Sequence, residues 1–152
     1  ERKQKAKSLG LSQSEVSILA SIVQAEQQMH RDERPKVAGV YLNRLERGMR
    51  LQSDPTLIFA LNDYSIKRVL NEHKRVNSPY NTYKYAGLPP GPINIPEISS
   101  IDAVLNAEDH NYIYMCAKAD FSGYHNFAST LNQHNRYAAQ YRRELNRRRI
   151  MQ

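Results

Sequence analysis

Glu26 is the residue whose type and position most invite chemistry. It follows Val23 by three residues, Ile22 by four and Leu19 by seven. A helix turns about 100° per residue, so with Val16 at the origin Ile18, Leu19, Ala20, Ile22, Val23 and Met29 share one broad arc. Glu26 falls near the middle of that arc, while Ser17, Ser21, Gln24 and Gln28 fall opposite. A carboxyl group leaving a helix on its apolar side loses hydration, which disfavours the ionised form and raises its pKa unless a cation pairs with it. A carboxyl that stays protonated toward neutral pH is what a general acid requires. The competing reading is structural: a buried Glu paired with Arg34, Arg44 or Arg50, or a helix end that reaches solvent. Periodicity does not choose between the two. Glu15 lies at the edge of the same arc, but Ser12-Gln13-Ser14-Glu15 is a capping box that accounts for it.

Other reactive side chains point less clearly to a task. Cys116 is the only cysteine, so no intramolecular disulfide can form, and the apolar run Tyr112-Ile113-Tyr114-Met115-Cys116-Ala117 marks it as a buried core thiol. The five histidines lack the close pairing on one helix that a zinc site would show, and no metal or cofactor is expected. The formal charge of +7 favours polyanionic partners without choosing among them. Much of it sits in Arg142-Arg143-Glu144-Leu145-Asn146-Arg147-Arg148-Arg149, where cations complement a helix C-terminus. A nucleic-acid-binding module using this helix and exposed tyrosines is one reading of that charge, but no binding motif accompanies it.

The elements that must position Glu26 follow from caps and breakers. With 152 residues, 40% hydrophobic and 24% charged, one soluble domain is expected, and no apolar run approaches the roughly 20 residues of a membrane span. Residues 1–11 form a polar lead-in without an apolar signal core, read as a cut inside a longer protein, and 12–152 form the domain proper. The capping box predicts a helix over about 13–29. Pro35, the spacing of Val37, Ala38, Tyr41, Leu42 and Leu45, and Gly48 predict a second. Asp54-Pro55 opens a short third through Leu61. Residues 77–96 hold five prolines and two glycines among Tyr80, Tyr83 and Tyr85, which sustains neither helix nor central strand. Twenty residues without regular structure inside a compact domain suggest a functional loop. A helix capped by Ser99 or Ser100 through Ala107, a strand over 111–117 paired with 124–128 across Gly123, and a final helix over 130–149 complete an α+β outline.

Several blocks then recur in order. Ala20-Ser21-Ile22-Val23-Gln24-Ala25-Glu26, Val37-Ala38-Gly39-Val40-Tyr41-Leu42-Asn43-Arg44-Leu45 and Gly48-Met49-Arg50-Leu51-Gln52-Ser53-Asp54-Pro55-Thr56 resemble the YceG-like endolytic murein transglycosylases. Ser78-Pro79-Tyr80-Asn81-Thr82-Tyr83, Gly87-Leu88-Pro89-Pro90-Gly91-Pro92-Ile93, His125-Asn126-Phe127 and His134-Asn135 continue the resemblance to about residue 145. It implies a lysozyme-like cleft: several helices with a small antiparallel sheet. The family's first block carries two glutamates, of which the second is catalytic and corresponds to Glu26. Gln24 replaces the first, on the side of the wheel away from the apolar arc.

The implied activity is non-hydrolytic cleavage of the β-1,4 bond between N-acetylmuramic acid and N-acetylglucosamine, leaving 1,6-anhydro ends. A glycosidase that uses water needs two carboxylates across the scissile bond. Here the sugar's own 6-hydroxyl replaces water, so Glu26 alone can protonate the leaving oxygen and then accept the hydroxyl proton. The resemblance assigns Gln52, Ser53 and Asp54 to the cleft lining, with Asp54 equally readable as an N-cap. Tyr80, Asn81, Thr82 and Tyr83 would offer stacking faces and polar groups for N-acetyl sugars, or else satisfy their own loop. His125 would hold a sugar hydroxyl, orient Glu26 or act structurally, and His134 is read as structural. Peptidoglycan glycan strands are the expected partner, with cell-wall synthesis proteins as further candidates and no nucleic acid. The expected location is outside the cytoplasmic membrane, attached only through an N-terminal anchor upstream of Glu1. An inactive glycan-binding relative is the remaining alternative.

Overall fold

The computed structural model describes residues 1–151. In chain order it contains α1 (Arg2–Ser8), α2 (Gln13–Glu26), a single 3-10 turn (Arg31–Glu33), α3 (Arg34–Glu46), α4 (Asp54–Leu61), a second such turn (His73–Arg75), α5 (Ile98–Leu105), β1 (Tyr114–Ala117), β2 (His125–Ala128) and α6 (Leu131–Met151). The α+β class expected from the sequence is the one observed. No helix among the described residues is long and apolar enough to cross a membrane.

Helix α2 is the centre of the molecule. Its capping box forms as predicted: Glu15 N donates to Ser12 Oγ at 3.1 Å and Ser12 N to Glu15 Oε1 at 2.9 Å. Leu19, Ile22 and Val23 are fully enclosed in one cluster with Val37, Ala38 and Tyr41 of α3 and Val104 of α5. Each large aliphatic side chain so buried contributes roughly 1.5–3 kcal/mol. The helix stops at Glu26, three residues earlier than its apolar pattern suggests, because the Gln27 side chain turns back and accepts hydrogen bonds from Met29 N and His30 N. Met29, expected on the apolar arc, is therefore 72% exposed.

The polar face of α2, opposite its apolar arc, is covered. Ile93 N donates to Ser21 Oγ, Asn94 Nδ2 to Ser21 O, and both Glu97 N (2.7 Å) and Ser100 Oγ (2.9 Å) donate to Gln24 Oε1. The loop after residue 77 thus returns across α2, and Gln24 takes up an orphan N–H at the entry of α5. That explains why α5 begins at Ile98 with no side-chain cap of its own, rather than at Ser99 or Ser100. Residues 1–11 also depart from the polar lead-in expected of them. Arg2–Ser8 is helical, buries Ala6 in the main cluster, and ties to α5 through Arg2–Asp102 (2.8 Å) and Lys5–Asn106 (2.6 Å). Seven residues are too few for a stable isolated helix, so packing rather than propensity forms it.

β1 and β2 pair antiparallel with Met115 opposite Phe127 and Ala117 opposite His125. The first strand is shorter than expected because residues 110–112 are held by α3 instead, where Asn43 Nδ2 donates to His110 O and Tyr112 O. This close crossing needs Gly39: a Cβ there would lie 2.5 Å from His110 Nε2 and 2.6 Å from Glu108 O. The hairpin is thereby pinned to α3 beside Glu26, and α6 packs against it with His134 stacked on Tyr114.

Candidate active site

Glu26 ends α2 at the floor of a cavity of about 570 Å³. Val40, Tyr41 and Arg44 of α3 and Leu51, Gln52 and Asp54 form one side, and Tyr83 reaches in from the long loop. Residues 113–117 and His125 form the opposite side, with Leu131, His134 and Asn135 at the rim. The Glu26 side chain is half-buried, and Tyr41 Oη donates to its Oε2 at 2.7 Å. Burial pushes the Glu26 carboxyl above its ordinary value; the Tyr41 hydrogen bond and the nearby His125 oppose this, and Asp54 adds to it. Tyr41 is itself buried, and that burial together with Glu26 holds its phenol well above the usual range, so it remains a donor.

None of the three arginines considered as structural partners neutralises Glu26. Arg34 is committed to Gln27 O (2.8 Å), Glu97 (3.0 Å) and the hydroxyls of Ser99 and Ser100. Arg44 donates to the carbonyls of Ile113 (2.7 Å) and Arg50 (2.8 Å) and lies over the Tyr114 ring. Arg50 contributes only its carbonyl to this network. A carboxyl with a hydroxyl partner and no guanidinium can give up a proton and take it back.

The remaining sequence candidates divide into two groups. Gln52, Asp54, Tyr83 and His125 line the cavity with Glu26. Gln52 has φ 51°, a left-handed conformation costing a non-glycine residue roughly 1–2 kcal/mol, and Tyr83 Oη donates to Asp54 Oδ1 across the opening. Ser53, Tyr80, Asn81 and Thr82 stand behind the lining. Thr82 Oγ1 accepts from Ser53 N and meets Thr56 Oγ1 at 2.8 Å. Asn81 is completely buried; its Nδ2 donates to Lys74 O and Val76 O, and its Oδ1 accepts from Tyr83 N. Tyr80 packs on Phe59 at 4.8 Å. These groups shape the loop and position Tyr83, and they are not among the side chains that line the cavity. Ser53 Oγ is enclosed without a satisfactory partner beside the Tyr41 and Glu26 oxygens.

Cys116, expected in the core, is instead half-buried on the cavity wall, where burial pushes its thiol up and keeps it protonated. Among the described residues no cluster of His, Cys, Asp or Glu is placed to hold a metal ion. Sequence reasoning missed Tyr41 as a site residue, although a Tyr on a buried helix face needs a partner for its hydroxyl. It also missed Glu33, which no local spacing singles out.

A helical body carries a desolvated carboxyl group, Glu26, at the floor of a hairpin-walled cleft that Asp54 also lines. The sequence matches the YceG-like family over residues 1–140. It is 39% identical over 123 residues to an endolytic murein transglycosylase of Bacillus subtilis, covering 81% of this chain and 33% of that protein. A protein of the same name from Streptococcus pneumoniae (serotype 2, strain D39) is 32% identical, with 89% and 25% covered. A crystal structure of a yceG-like protein from Listeria monocytogenes superposes with TM-score 0.80 at 36% identity, covering 88% of this chain and 43% of that one. The chain belongs to the YceG-like family. It spans a quarter to a third of the length of these curated relatives.

Proposed function

We propose that this chain is the catalytic domain of an endolytic murein transglycosylase in which Glu26 is the single acid and base. The observation that carries the proposal is a carboxyl group on a cavity floor, raised by burial and bonded to a hydroxyl rather than to an arginine. In the protonated state Glu26 gives its proton to the glycosidic oxygen as the C1–O bond of the muramic residue breaks. The 6-hydroxyl of the same residue attacks C1, and its proton returns to Glu26. A 1,6-anhydro end and a free 4-hydroxyl result, and no water is consumed. Gln52, Asp54, Tyr83 and His125 are the side chains placed to contact the strand. Such a domain acts outside the cytoplasm, where peptidoglycan lies, and within a longer protein an upstream anchor and cell-wall synthesis partners would bring it there.

Asp54 favours a second reading. It is another carboxylate on the same cavity, so a water-using cut that leaves reducing ends has both groups it requires. Digestion of purified glycan strands, with the ends identified by mass spectrometry, separates the readings. Anhydro ends from the wild type that disappear in Glu26→Gln support the transglycosylase. Reducing ends that disappear in both Glu26→Gln and Asp54→Asn support hydrolysis. Strand binding without cleavage points to a glycan-holding relative.

A further inference from the structure

Glu33 lies in the 3-10 turn after α2, is 8% exposed, and is surrounded by donors. Its Oε1 accepts from Gln27 Nε2 at 2.7 Å and from His125 Nδ1 at 2.6 Å, and its Oε2 accepts from the His125 backbone N at 3.0 Å. Burial pushes this carboxyl up, but the hydrogen bonds from His125 and Gln27 outweigh it and hold Glu33 below its ordinary value. An ionised carboxylate can only accept, so His125 Nδ1 carries a hydrogen. The ring's orientation is then fixed from both its backbone and its Nδ1 edge.

Nε2 is the opposite edge of that ring. It meets no hydrogen-bonding group among the described residues, it is not enclosed, and the ring lines the cavity that holds Glu26. The brace behind it reaches Glu26 as well. Gln27, the next residue, donates to Glu33 and to Gly123 O at 2.9 Å, so the end of α2 and the hairpin are tied through one carboxylate. We propose that Glu33 is a positioning residue that fixes the His125 ring through Nδ1 and the backbone N–H, so that Nε2 is aimed into the cavity as a polar contact for the glycan bound over Glu26. The proposal rests on the glycan-cleaving reading above.

Charged and titratable groups around His125 are few. Glu33 faces it from the turn and Glu26 from α2. On the hairpin, Tyr124 is turned away to Asp32 (3.1 Å), and Phe127 offers an uncharged edge at 6.2 Å. Lys36 of α3 sits over Phe127 at 4.8 Å. Removing the Glu33 carboxylate should therefore leave the ring free to turn, because no other side chain among the described residues holds Nδ1.

kcat and KM are measured on glycan strands for wild type, Glu33→Gln and Glu33→Asp, alongside nitrogen NMR of the His125 ring. The expected result is a roughly tenfold lower kcat in Glu33→Gln with a smaller change in KM, a second orientation or tautomer of the ring, and recovery of both in Glu33→Asp. An unchanged kcat with ring signals like those of the wild type overturns the proposal. If Glu33→Gln does not fold, His125→Gln supplies the reading: kcat should fall by a similar factor, and an unaltered kcat counts against the role. Should the wild type cut no strands, the function reading fails by itself. The ring signals still decide whether Glu33 fixes His125.

Discussion

Glu26 and Glu33 stand seven residues apart on either side of one chain reversal, and the fold drives them in opposite directions. Glu26 ends a helix with an apolar face, and its hydrogen bonding is led by the Tyr41 hydroxyl with the Ser53 hydroxyl a lesser contribution; burial dominates and its carboxyl is raised. Glu33 is more enclosed, yet its carboxyl is lowered because two side chains and a backbone N–H all donate to it. Burial alone therefore does not make a general acid. The number of donors reaching the carboxyl decides, and the end of α2 is built to keep that number small at Glu26.

The largest break in this comparison comes from swapping the acid for its amide at each place. Glu26→Gln keeps shape and can still accept from Tyr41, but it removes the proton; strand cleavage should fall about 10²–10⁴-fold. Loss of less than tenfold would mean that Glu26 is not the proton donor. The same exchange at Glu33 leaves the acid in place and should cost only about tenfold, as argued above.

A second break separates residues that line the cavity from those behind it. Asn81→Ala strips the partners from Lys74 O, Val76 O and Tyr83 N at once. These three bonds are only half-buried, so each costs about 1 kcal/mol or somewhat less, and the total loss should be roughly 2 kcal/mol, a fall in Tm of about 4–8 °C. Thermal unfolding of Asn81→Ala and Tyr83→Phe would show the difference. Tyr83→Phe should change stability little and glycan affinity more, and the reverse ordering would place Asn81 among the sugar contacts instead.

These contrasts mark where the sequence was informative. Helices α2, α3 and α4 were legible because Ser12-Glu15, Pro35 and Asp54-Pro55 are local signals, and Glu26 because helical periodicity is local too. The wheel places Ser21 and Gln24 on the polar face, but it cannot register a loop more than seventy residues later folding over them. Asn81 and Thr82 matched a family block, but a matching block does not say which side chains point inward. Glu33 gave no signal because its meaning depends on His125, 92 positions away. Long-range hydrogen bonds were the missing information in each case.

Tyr41→Phe sharpens the comparison at Glu26 itself. Removing the Tyr41 hydrogen bond to the carboxyl should push Glu26 further up, because that bond favours the ionised form. As the acid must be protonated to act, activity is lost as pH rises through its folded pKa. The alkaline limb of kcat should therefore move to higher pH, with a rate change within about tenfold at the optimum. A limb moving to lower pH would show that Tyr41 does not stabilise the carboxylate.

The smallest effect is on stability and follows from the same raised carboxyl. Below the ordinary value of 4.5, Glu26 is protonated in both folded and unfolded chains and contributes no difference. Between that value and its higher folded pKa, the unfolded chain ionises at this residue while the folded chain keeps its proton, so the contribution of Glu26 to wild-type stability declines as pH rises. Above the folded pKa both forms are ionised and the full cost of desolvating the charge remains. A glutamine is neutral throughout and has no such dependence. Glu26→Gln should thus be more stable than wild type at neutral pH, by on the order of 1 kcal/mol as is common when a functional site is relieved. The gain should shrink to nothing below pH 4.5. Thermal unfolding of both proteins from pH 4 to 8 measures it; a constant gap across that range would mean that packing of the amide, not the charge on Glu26, separates them.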